Sequence, residues 1–112
     1  MQIMNDFLKC SEISWQAANG KQVDFTIARL DEIHPFISGN KYFKLHYNLQ
    51  QAIAEKKKGI LTMGGAFSNH LSATAFACKQ AGIKSTGIIR GEIVQPLNST
   101  LSFCKQHDMQ FI

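Results

Sequence analysis

Two lysines three residues apart, Lys41 and Lys44, stand directly behind a Gly-Asn pair in the stretch SGNKYFKL. At helical spacing they share one face, and Asn40 in front of them suits an N-cap. Both ammonium groups would then occupy a first helical turn, where the helix dipole favours anions and a misplaced cation costs about 0.3–1 kcal/mol. Either this is a solvated first turn, the common state of exposed lysines, or an anion belongs between the two amines.

A second stretch, TMGGAFSNHLSATA from Thr62 to Ala75, follows about twenty residues later. Gly64 and Gly65 let backbone approach a ligand closely, and Ser68, Asn69 and His70 fall near a predicted helix start, where free amides favour an anion. Neither the nucleotide-phosphate pattern G-x-x-x-x-G-K-[ST] nor the dinucleotide pattern G-x-G-x-x-G is present. The missing Walker lysine makes nucleotide binding at the Gly64-Gly65 loop the weakest of the ligand readings. The plain alternative is a Gly-Gly turn with Ser68 or Asn69 as N-cap. The four histidines, His34, His46, His70 and His107, show no zinc spacing, and His46 and His107 read as exposed helix positions. Cys78 reads as a small core residue, since no His or acid sits at a local spacing that would activate it.

These residues need elements to position them. Asn19-Gly20 lies between a run with Ile13, Trp15 and Ala17 and an alternation of Val23, Phe25 and Ile27; this predicts a β-hairpin with a two-residue turn. DEIHPFISGN reads as a connection, with His34-Pro35 forcing extended backbone. A helix is expected from about Lys41 to Lys57, with Tyr42, Leu45, Leu49, Ala52 and Ile53 as its apolar stripe and Gly59 as its stop. Then come a strand ILTM, the loop GGAFSN, a helix from His70 to Ala81 closed by Gly82, a strand STGII, a helix from Asn98 to His107 and a strand MQFI. Strands beginning about 25 residues apart with helices between them predict βαβ units in a parallel sheet, an α/β architecture. The chain stops at Ile112 inside an apolar strand. This suggests an incomplete domain, either a fragment or a protomer that completes its sheet against another chain.

The 112 residues are the size of one modest domain, 45% hydrophobic and 18% charged, enough to bury a core. The net charge of +4 does not by itself indicate nucleic acid, because Lys56, Lys57 and Lys58 fall where a helix last turn is expected and no basic strand interleaved with aromatics accompanies them. Three cysteines without a C-x-x-C pair argue for a reducing compartment, with the cytoplasm as the default. The start MQIMNDFLKCSE carries Asp6 in its apolar stretch, and no segment approaches 18 consecutive apolar residues. Neither a signal peptide nor a membrane span is expected.

Taken together, SGNKYFKL, GGAFSNH and the later GIIRGE resemble the amino-terminal part of the pyridoxal-phosphate enzymes of the 1-aminocyclopropane-1-carboxylate deaminase and D-cysteine desulfhydrase family. The resemblance runs from about Phe25 to Ile112. It implies a tryptophan-synthase-β-like, fold type II architecture in which two α/β domains close over pyridoxal 5'-phosphate. Residues 1–40 would be a β segment of the large domain, and 41–112 the βαβ part of the cofactor-binding small domain. Lys41 matches the lysine that holds the cofactor aldehyde. A like charge nearby favours the neutral amine needed for attack on a carbonyl, and Lys44 supplies that charge while matching a lysine that helps hold the cofactor phosphate. Asn40 joins the cofactor-binding set. Ser68 matches the serine at the reacting carbon of the substrate, Asn69 the asparagine on the cofactor's phenolic oxygen, and the amides from Gly65 to His70 would receive the substrate carboxylate.

The resemblance implies a small amino-acid substrate. A desulfhydrase yields pyruvate, ammonia and sulfide; a deaminase opens a cyclopropane to 2-oxobutyrate and ammonia. The triplet SNH with His70 leans toward the desulfhydrase. Phe43 and Ala28 replace an arginine and a lysine usual in the family. The family chain is about three times as long, and its later part carries the phosphate cup, the partner of the pyridine nitrogen and a tyrosine that works with the serine. The chain alone is therefore expected to bind cofactor poorly and turn over little, and to act within a homo-oligomer or with a complementing chain. A non-catalytic α/β remnant serving as an interaction module through its open sheet edge stands as the alternative.

Overall fold

The computed structural model describes residues 8–112. Much of the stretch assessed above for a signal peptide lies outside the described residues. Strands β1 (Cys10–Gln16) and β2 (Gln22–Ala28) form the expected antiparallel hairpin, with Ile13 opposite Phe25 and Trp15 opposite Val23. Its connection is longer than the two-residue turn expected from Asn19-Gly20, running from Ala17 to Lys21. Gly20 alone takes a positive φ, 84°, and its N–H donates to the Ala17 carbonyl at 2.9 Å. Asn19 instead accepts the Lys21 N–H on its side chain at 3.0 Å. One left-handed glycine closing a wider turn is the next hairpin solution after the two-residue loop.

The connection from Arg29 to Asn40 aims the first helix. It holds a single 3-10 turn at Leu30–Glu32, ion pairs from Arg29 to Asp31 at 2.7 Å and Glu32 at 2.8 Å, and a bond from the Gly39 N–H to the Leu30 carbonyl at 2.9 Å. His34 Nδ1 accepts the N–H groups of Phe36 and Ile37, both at 3.1 Å. The Phe36 ring lies 4.9 Å from Phe76 and 5.7 Å from Phe103, which fastens the connection to the helices that follow.

Helix α1 (Lys41–Ala54) buries Leu45 and packs Tyr42 and Leu49 against Ile37, Ala73 and Ala77. It differs from expectation at both ends. Asn40 stands at the N-cap position but has helical dihedrals, φ −66° and ψ −11°, and its side chain caps nothing; only a non-helical residue turns its oxygen back onto the first-turn amides. The helix ends at Ala54, so Lys56, Lys57 and Lys58 lie beyond it and Ile53 is exposed. Lys56, not Gly59, takes the left-handed conformation just past the helix end, φ 54°. Gly59 opens strand β3 instead, where a Cβ would come within 2.6 Å of the Lys84 carbonyl oxygen. That close strand approach is what requires glycine there.

Strands β3 (Gly59–Gly65), β4 (Lys84–Arg90) and β5 (Gln110–Phe111) form the parallel sheet in sequential order. Helices α2 (Asn69–Ala81) and α3 (Ser99–Gln106) are the crossovers. The fold is thus α/β, a parallel three-stranded sheet with flanking helices preceded by a hairpin. Leu71, Ala75, Ile89, Leu101, Cys104 and Met109 form the core between helices and sheet. The small residues Ala73, Ala75 and Ala77 let α2 pack closely on its neighbours. Gly82, at φ 72°, ends α2 as expected.

His46 is exposed as expected, but His107 is not. It lies at the end of α3, one turn after Phe103, with its ring centroid 4.1 Å from Phe103 and 5.4 Å from Phe76. That turn faces α2, so the ring is packed. Cys78 and Cys104 are fully buried, and burial pushes both thiols up to about 11. Native protein treated with iodoacetamide should therefore be alkylated at exposed Cys10 alone; mass spectrometry showing fast labelling at Cys78 would contradict this packing. Among the described residues no helix is long and apolar enough to cross a membrane.

Candidate functional site at the end of strand β3

Gly65, Ser68, Asn69 and His70 lie where β3 ends and α2 begins, and Lys41 and Lys44 lie in the first turn of α1, while Asn69 and His70 open onto different hollows. Both glycines belong to the strand and have different tasks. Gly64 is buried, and a Cβ there would lie 2.9 Å from both Leu71 Cγ and Ser68 Oγ. Its missing side chain makes room for α2, not for a ligand. At Gly65 a Cβ would meet only the Arg90 guanidinium at 3.8 Å, so this glycine keeps the open face. The chain then turns, with the Ser68 N–H donating to the Gly65 carbonyl at 3.0 Å.

Ser68 is the N-cap of α2: extended at φ −75°, ψ 117°, it accepts the His70 N–H on Oγ at 3.2 Å. Its hydroxyl proton remains available to another acceptor. Asn69 is the exposed first residue of the helix, where backbone amides lack intrahelical partners. Asn69 lines a hollow of about 270 Å³ with Ser38, Ser72 and Thr100. His70, next in the helix, lines a separate groove of about 400 Å³ between α1 and β3, with Leu45, Asn48, Thr62 and Thr74.

Two neighbours of these residues were not singled out in the sequence. Thr62, on β3, places Oγ1 2.6 Å from His70 Nε2, while the Thr74 hydroxyl donates to the His70 carbonyl at 2.7 Å. The strand period, with Thr62 and Gly64 on one face, was the signal that could have found the first. Asn98 caps α3 by accepting the Leu101 N–H at 2.9 Å and donates its side-chain amide to the Ala66 carbonyl at 2.9 Å. Nothing local announces that second bond, which spans 32 residues. Asn98→Ala should cost about 1–2 kcal/mol from the lost cap and tether. Urea titration would show it as a lowered midpoint, and an unchanged midpoint would deny the tether its role.

His70 reports on the lysines. Burial lowers its pKa from the ordinary 6.5, and the positive charges of Lys41 and then Lys44 lower it further. A depressed folded-state value means that the unfolded chain binds the proton more readily. Stability from neutral His70 is present above about pH 6.5 and is lost as pH falls through the depressed value. Acid titration of unfolding should show this loss, and His70→Gln should flatten it.

Lys41 is half-buried and Lys44 exposed. Lys41 Nζ donates to Asn40 Oδ1 at 3.1 Å, which replaces the expected capping role of that asparagine. No acidic residue stands in the first turn of α1 or α2. Among the described residues neither lysine pairs with a carboxylate. The start of α2 carries backbone amides without intrahelical partners, the Ser68 hydroxyl and the exposed Asn69 carboxamide.

The fold is that of an α/β protein in which the end of β3 leads into the start of α2, the place where such folds usually receive ligands. No protein-family model matches the chain. A Pyrococcus abyssi protein provisionally named 1-aminocyclopropane-1-carboxylate deaminase is 38% identical over 72 residues, covering 64% of this chain and 22% of the relative. A rice protein provisionally named D-cysteine desulfhydrase 2, mitochondrial, is 35% identical over 68 residues, covering 61% and 17%. A Thermotoga maritima protein with the deaminase name is 42% identical over 65 residues, covering 57% and 20%. A crystal structure of a hydrogen sulfide-producing enzyme from Fusobacterium nucleatum superposes on 99% of this chain with a TM-score of 0.67 at 12% identity, a likeness of fold. The resemblance read from the sequence to the deaminase and desulfhydrase family therefore holds. It is a resemblance to part of those proteins: the chain spans about a fifth of the curated relatives it matches and 33% of the Fusobacterium chain.

Proposed function

We propose that this chain is the cofactor-anchoring portion of a pyridoxal-phosphate-dependent deaminase or desulfhydrase of small amino acids. The observation that carries the reading is the pair Lys41 and Lys44 in the first turn of α1, neither paired with a carboxylate among the described residues. Pyridoxal 5'-phosphate joins an aldehyde to a phosphate. One amine for the aldehyde, with a second ammonium for the phosphate, fits that combination. When bound, this cofactor supplies an electron sink for charge developing at a substrate carbon.

Lys41 is the covalent anchor, and its bond to Asn40 Oδ1 holds the amine in place. Lys44 neutralises the phosphate. With that cofactor bound, Asn69 would donate to the phenolic oxygen, the Ser68 hydroxyl would serve the reacting carbon, and backbone amides from Gly65 to His70 would hold the substrate carboxylate. Residues 1–40 belong to the large domain and 41–112 to the small one, and the complete site forms in a homo-oligomer or with a complementing chain. The substrate is 1-aminocyclopropane-1-carboxylate or D-cysteine.

Incubation with pyridoxal phosphate, borohydride reduction and peptide mapping test the reading. A pyridoxyl group on the Lys41 peptide is the expected product. Random labelling of exposed lysines, in the chain alone and with the remainder of a relative supplied, would favour the non-catalytic alternative.

A further inference from the structure

A single ring nitrogen holds the connection in front of Lys41. His34 Nδ1 accepts the N–H groups of both Phe36 and Ile37, each at 3.1 Å. Pro35 between them has no N–H to offer, so the side chain of residue 34 closes the turn much as an asparagine does when it bonds backbone two residues on. The two amides belong to the residues that fasten the connection. Ile37 is buried with Leu45, Ala73 and Ala77, and the Phe36 ring packs on Phe76 of α2 and Phe103 of α3. Only Ser38, Gly39 and Asn40 then separate Ile37 from Lys41 and the start of α1.

A neutral imidazole has one acceptor nitrogen and one N–H. Nδ1 is the acceptor here, so Nε2 carries the proton. A second proton can enter only at Nδ1, and it turns that acceptor into a donor facing two donors. Both bonds are then lost. The ring meets Phe36 at 6.2 Å, Tyr42 of α1 at 6.4 Å and Phe76 of α2 at 5.3 Å, and α3 contributes His107, 5.4 Å from the same Phe76. Within the connection Asp31 and Glu32 are engaged by Arg29. Among the described residues no carboxylate pairs with His34 to favour its cation.

We infer that His34 is a proton-operated clasp on the segment that aims Lys41: neutral, it ties down Phe36 and Ile37, and protonation at Nδ1 releases them. The clasp consists of this chain's own bonds and needs no cofactor, so it stands or falls apart from the proposed function.

Nuclear magnetic resonance on the full chain can follow the His34 ring titration and amide hydrogen exchange together, each exchange rate being compared with the unprotected rate at the same pH. Protection at the Phe36 and Ile37 amides should fall roughly tenfold or more as the His34 ring protonates, while Ala75, fully buried in α2, stays protected. In His34→Asn a side-chain oxygen takes over as acceptor and does not titrate, so both amides should keep their protection across the same range. Protection that stays constant through the His34 titration overturns the inference. So does a loss that follows the His107 titration, or an equal loss in His34→Asn. A loss shared by Ala75 would be global unfolding and overturns it as well.

Discussion

Lys41→Ala is expected to abolish the borohydride-trapped pyridoxyl adduct, and Lys41→Arg to abolish it equally. The second variant keeps the charge, so only loss of the primary amine accounts for both results. Lys41 is half-buried with its Nζ held by Asn40, whereas Lys44 is exposed one turn further along α1. Lys44→Ala should therefore still give the adduct at Lys41, at a higher cofactor concentration. Losing one charge-assisted contact to a phosphate is worth about 1.5–3 kcal/mol, or roughly ten- to hundredfold in apparent affinity. Quantitative peptide mapping across a cofactor titration separates the roles. Equal adduct yield in Lys41→Ala and the unaltered chain would remove Lys41 as the anchor.

Leu71→Ala is expected to lower unfolding free energy by about 2–5 kcal/mol, the range for deleting a buried leucine side chain. Leu71 is fully buried and packs with Ala75, Ile89, Leu101 and Met109. It also lies against the strands, within 2.9 Å of where a Cβ on Gly64 would stand and 3.3 Å of one on Gly87. The cavity left behind cannot close easily, because strand backbone forms its floor. Leu61, 62% exposed on the edge strand, is the control; its alanine variant should stay within about 0.5 kcal/mol. Denaturant titrations of the two variants with matching midpoints would show that the core has been misplaced.

Much of the fold was legible because its signals are local. For α2 the sequence offers Ser68 or Asn69 as N-cap, a start near His70 and Gly82 as the stop; Ser68 is the cap, Asn69 opens the helix and Gly82 ends it. The parallel pairing followed from the spacing of three apolar runs. What misled was local chemistry overridden by neighbours. Asn40 has a capping residue's chemistry, but its backbone is already helical and its oxygen serves Lys41. Gly59 looked like a helix stop and is needed by strand β4. In the site, the lysine pair and the Ser-Asn-His triplet were visible as patterns, whereas the Thr62 bond to His70 and the Asn98 bond to Ala66 depend on elements brought together by folding.

The unequal duties of the two adjacent glycines also set the terms on which this site can change. Gly64 answers to Leu71 and Ser68 inside the protein, so selection for any new ligand would leave it fixed. Gly65 answers mainly to whatever occupies the open face, with only the Arg90 side chain nearby. A library meant to retune ligand preference should randomise Gly65 and spare Gly64, and surviving variants should carry their diversity at that one position of the pair.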